Sequence, residues 1–97
     1  ATPRGLTALG ALHDAGVLVA AGADNVQDIY NQVGRSDPLE TAALLVMAGH
    51  QTPDDAYRMV SNDVREGIGL PRVDHAPGAP ADLLVIDAIS PREAIAD

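Results

Sequence analysis

Four times in 97 residues the chain spells a helix start in the same way, a short polar residue followed by proline. The four are Thr2-Pro3, Asp37-Pro38, Thr52-Pro53 and Ser90-Pro91. A cap side chain with an oxygen accepts from backbone N–H groups that the first turn leaves free. Proline at the first helical position gives up a donor that had no partner anyway. Glu40 after Asp37 and Glu93 after Ser90 add an acid at the third position, close to a capping box. These punctuation marks fix where helices begin and leave the rest of the chain to be read between them.

The first helix is expected over 3–14, with Leu6, Leu9 and Leu12 as its apolar stripe and Gly16 as its stop. "VLVAA" (17–21) then reads as a short buried strand of the kind found in parallel sheets. Residues 22–36 read as a loop. The helix expected over 38–48 contains "AALLVMA" and is apolar almost all round, a pattern that requires cover on more than one face. A helix over 53–66 carries the stripe Ala56, Met59, Val60 and Val64, with Gly67 or Gly69 to end it. "VDHAPGAPAD" (73–82) reads as a linker, "DLLVIDA" (82–88) as a second strand, and a short helix opens at Ser90. Helices alternating with parallel-type strands make the chain α/β, although two strands so far apart make no sheet by themselves.

The core these elements could form is modest. There is no Phe, no Trp and only two Tyr, so it must be built from Ala, Val, Leu and Ile. Leu39, Leu44, Leu45, Val46 and Met47 exceed what the remaining residues can cover. The reading therefore expects a homo-oligomer, or association with the rest of a longer parent chain. The net charge of −8 disfavours nucleic acid and anionic membrane surfaces as partners. With no cysteine there is no disulfide or thiolate chemistry. No run of about 18 apolar residues or signal-peptide pattern is present, and a cytoplasmic setting is expected. A start at Ala1 fits either processing or a fragment, and a fragment is the expectation.

The residues that could do chemistry cluster at "GADNVQD" (22–28), where Asp24, Asn25 and Asp28 follow the expected strand at its C-terminal end. Active sites of α/β sheets and barrels are built at that edge. A carboxylate there can bind a divalent metal or act as a general base; equally, Asp24 or Asn25 could form an Asx-turn on its own backbone. His13, His50 and His75 have no ligand spacing, and a histidine at a helix C-terminus is more often a favourable charge or a cap. Ser36 and Ser61 lack triad companions at recognisable spacing, and "GIG" (67–69) follows a helix where a phosphate loop would follow a strand.

Four stretches in order resemble the end of the amidohydrolase superfamily barrel, most closely its cytosine deaminase-like branch. They are "LHDAGVLVAAGADNVQD", "GRSDPLETAALLVMAGH", "SNDVREGIGL" and "PGAPADLLVID". The resemblance implies the C-terminal portion of a (β/α)8 metal-dependent hydrolase barrel, mostly helical as an isolated chain. Residues 1–72 would be the end of the barrel, and 73–97 the linker and strand of an accessory β-domain. It implies that Asp24 is both metal ligand and catalytic base, taking a proton from metal-bound water and passing it to the leaving amine. Asn25 would contact the substrate ring, at a position where Asp is common in that branch, and Asp28 would shape the loop. Ala23 stands where Thr, Ser or His is commoner. The implied metal is zinc or iron and the implied substrate a cyclic amidine such as cytosine. The family's remaining metal ligands lie on earlier strands that these 97 residues do not include, so the isolated chain is expected to bind no metal tightly and to be inactive. The competing reading is a small non-catalytic helical module for interaction or oligomerisation.

Overall fold

In a computed structural model the described residues are 6–24, 26–29, 31–74 and 76–96. They form five helices: α1 (Leu9–Asp14), α2 (Pro38–Met47), α3 (Pro53–Met59), α4 (Asn62–Gly67) and α5 (Pro91–Ala96). Helices α2, α3 and α5 pack on one another, and α4 packs on α3. Among the described residues no helix is long and apolar enough to cross a membrane.

Three of the cap–proline pairs lie in described residues, and each starts a helix. The Asp37 carboxylate accepts from Leu39 N–H at 3.0 Å and the Thr52 hydroxyl from Asp55 N–H at 3.1 Å. At α5 the exchange is two-way: Ser90 Oγ accepts from Glu93 N–H at 3.2 Å, and the Glu93 carboxylate accepts from Ile89 N–H at 3.1 Å. The fourth pair, at Thr2, lies outside the described residues. Two helices stop at a glycine in the left-handed region, Gly16 at φ 77° and Gly69 at φ 80°. Each stop makes the same pair of backbone bonds. Gly16 and Val17 N–H reach back to His13 and Leu12 carbonyls, while Gly69 and Leu70 N–H reach Glu66 and Arg65. A side chain with a Cβ would meet steric resistance at that φ.

The helix expected over 53–66 is two helices. The break falls at Ser61, whose hydroxyl bonds back to the Tyr57 carbonyl at 2.6 Å. Ser, Asn and Asp in succession compete with the helical ladder for backbone partners, which makes 61–63 a natural corner. Asn62 then turns to the chain beyond, and Asp63 is buried against Arg58 at 3.2 Å.

The strands expected at 17–21 and 82–88 are not formed; among the described residues there is no strand. Both stretches run as open chain. Val17 and Leu18 are each 46 % exposed, so the buried strand read at 17–21 is corrected as well. The physical reason is that a strand is a relation between two segments, and the ladder needs a neighbour about 4.8 Å away. Of the main-chain N–H groups at 17–21, Ala21 bonds the Met59 carbonyl and Val17 closes α1.

Among the described residues the buried apolar set is small: Leu9, Ala42, Ala56 and Met59. The stripe read on α3 holds, since Ala56 and Met59 are inside while Val60 and Val64 are half-buried. On α2, Leu44 and Met47 remain 54 % and 70 % exposed. The accessible surface is 7317 Å² for 10.0 kDa. A folded monomer of this mass exposes about 5,200 Å². The chain thus carries about 2,000 Å² more surface than its size requires, and Leu44, Met47, Leu84 and Val85 are among the large apolar side chains left exposed.

Candidate functional site

Asp24 follows the open stretch 17–22 and is exposed, with φ 61°. Asp is among the residues that tolerate the left-handed region. Its carboxylate has no hydrogen-bond or ion-pair partner among the described residues, so it does not close the Asx-turn that was its alternative role. That turn forms further on: the Asp28 carboxylate accepts from Asn31 N–H at 3.0 Å, and Asp28 N–H donates to the Asn31 carbonyl at 3.1 Å. Asp28 thereby shapes the loop. Gln27, at φ 48°, is a second left-handed residue in the same loop, and glutamine has no special tolerance for it. Asn25, read as the substrate contact, lies outside the described residues.

Two clefts flank this stretch. One, of about 510 Å³, lies between 19–22 and the second half of α2 and is walled by Val19, Leu44, Leu45 and Met59. The other, of about 180 Å³, runs from Ala21–Ala23 to the start of α2 at Asp37 and Thr41. Neither is lined by Asp24. The first is almost wholly apolar and open, an unfilled half of a core more than a pocket for a polar substrate.

The metal reading can be tested on donors. Among the described residues no three His, Asp or Glu side chains converge where a cation could be held. His13 is half-buried in the last turn of α1, and His50 is exposed just beyond α2 at φ 57°, where it serves as a left-handed terminator. His75 lies outside the described residues. A metal centre takes three or more protein ligands. Asp24 is a single one, so these residues do not by themselves fit a metal.

The well-connected charges lie elsewhere. Arg58 bonds both Asp55 at 2.8 Å and Asp63 at 3.2 Å, which ties α3 to the start of α4. The hydrogen bond with Thr52 and the Arg58 guanidinium hold the Asp55 carboxyl below its usual range, while Asp63 and Asp55 raise Arg58. This is a structural cluster, and its members share no partner with Asp24. Sequence reading missed it, together with the ties from α4 to the following chain: Asn62 to Val73, and Arg65 to Asp82 at 2.9 Å. The run Ser61-Asn62-Asp63 is a signal for the corner alone, masked by the apolar stripe that continues to Val64, and gives none for these partners.

No family model matches the chain, and no solved structure matches it. Over 88 residues it is 34 % identical to a pterin deaminase of Rhizobium rhizogenes strain K84, an alignment that takes in 88 % of the chain and 20 % of that protein. The chain therefore spans about a fifth of the length of the curated relative it matches. Over most of its length it is similar to a segment of a deaminase.

Proposed function

We propose that the chain is the C-terminal part of a metal-dependent amidohydrolase that removes an exocyclic amine from a cyclic amidine, and that Asp24 is its catalytic carboxylate. The observation that carries the reading is the likeness of 88 residues to part of a pterin deaminase. It agrees in class with the amidohydrolase-like stretches at 12–28, 34–50, 61–70 and 77–87. Pterin and cytosine share the group that such an enzyme attacks, an amine on a ring carbon flanked by nitrogen. The relative's name makes a pterin the first substrate to try, and cytosine the second.

Asp24 suits the role in two respects. It is exposed, and no side chain or backbone group competes for its oxygens among the described residues. A free carboxylate can take a proton from a water molecule and return it to a departing amine. In the parent enzyme it would also supply one ligand to a divalent metal, zinc or iron, which would activate the attacking water. The remaining ligands would come from outside these residues. Asn25 is proposed to contact the substrate ring.

The test is release of ammonia by the longer polypeptide that contains this segment, with pterin, cytosine and related ring amines as substrates. Release from at least one of them is expected. No release from any, with the protein folded and supplied with zinc or iron, would overturn the reading. The 97-residue chain alone is proposed to be inactive.

A non-catalytic interaction module is the second reading, favoured by the uncovered surface of about 2,000 Å². The two are compatible, because a segment of a larger enzyme must also bind the rest of it.

A further inference from the structure

We draw no further inference here: the strongest candidate, the open apolar cleft of about 510 Å³ between residues 19–22 and the second half of α2, walled by Val19, Leu44, Leu45 and Met59, carries nothing because nothing in the structure shows what covers it.

Discussion

The side-chain amide of Asn62 closes a two-way ring on the backbone of Val73. Its Oδ1 accepts from Val73 N–H at 2.9 Å, and its Nδ2 donates to the Val73 carbonyl at 3.2 Å. Both bonds are partly buried and span eleven residues. An amide is the side chain that can answer a peptide group in both directions at once, so this contact registers the chain after α4 on the helical layer. Asn62→Ala should lower stability by about 1–3 kcal/mol, because two backbone groups lose their partners. Asn62→Asp should be nearly as harmful, since a carboxylate can accept but cannot donate. Chemical denaturation measures the loss. Amide exchange at Val73 should accelerate in both variants, and unchanged exchange would show that the ring is not what holds this segment.

Among the described residues, Met59 is the largest side chain with no exposure at all. Met59→Ala leaves a cavity beside Leu9 and α2 and should cost about 2–5 kcal/mol. For a chain with so few buried residues that is enough to remove the cooperative transition. Met47→Ala, at a position 70 % exposed, should change stability by less than about 0.5 kcal/mol. Thermal unfolding of the pair checks the contrast, and a large loss at Met47 would mean that the face of α2 is covered in solution.

Thr52 and Asp37 each cap a helix through one side-chain oxygen. Thr52→Ala and Asp37→Ala should each cost about 1 kcal/mol, and replacement by Ser or Asn should restore most of it. Urea denaturation of the four variants provides the check.

Asp55 has its carboxyl held below the usual 3.8 by the Thr52 hydrogen bond and the Arg58 guanidinium. A folded-state value below the unfolded one gives stability that is present above about pH 4 and lost as pH falls through the folded value. Asp55→Asn should therefore melt lower than the natural chain at pH 7, and the gap should narrow as pH falls from about 4 through the folded-state value. The effect is small, because the carboxylate is partly open to solvent and salt screens it. A gap of the same size at pH 7 and pH 2.5 would contradict the assignment.

What could be read from the sequence was what depends on neighbours a few residues away. The caps at Asp37, Thr52 and Ser90 and the stops at Gly16 and Gly69 are decided within a turn of helix, and the stripe Ala56–Met59 needs only the 3.6-residue period. The stretches 17–21 and 82–88 form no strand in these 97 residues for the opposite reason. Their Val, Leu and Ile content describes side chains suited to a sheet, but the ladder depends on a second segment that these residues do not provide. The corner at Ser61 was hidden because the apolar stripe continues through it to Val64. At the candidate site, the position of Asp24 after an apolar stretch was legible, and so was the loop role of Asp28. The ion cluster of Arg58 with Asp55 and Asp63 was not, since spacings of three and five along a broken helix carry no distinct pattern.

The central claim is that Asp24 handles the proton in a deamination. Turnover of Asp24→Asn in the longer polypeptide containing this segment measures it most directly, with pterin as substrate and the metal content determined on the same sample. The substitution preserves size, and Asn tolerates the left-handed φ of 61° at this position as Asp does, so the fold should survive. Because a general acid–base group contributes about 10²–10⁴-fold, kcat should fall by at least about a hundredfold with unchanged circular dichroism. Turnover within a few-fold of the natural enzyme would contradict the claim.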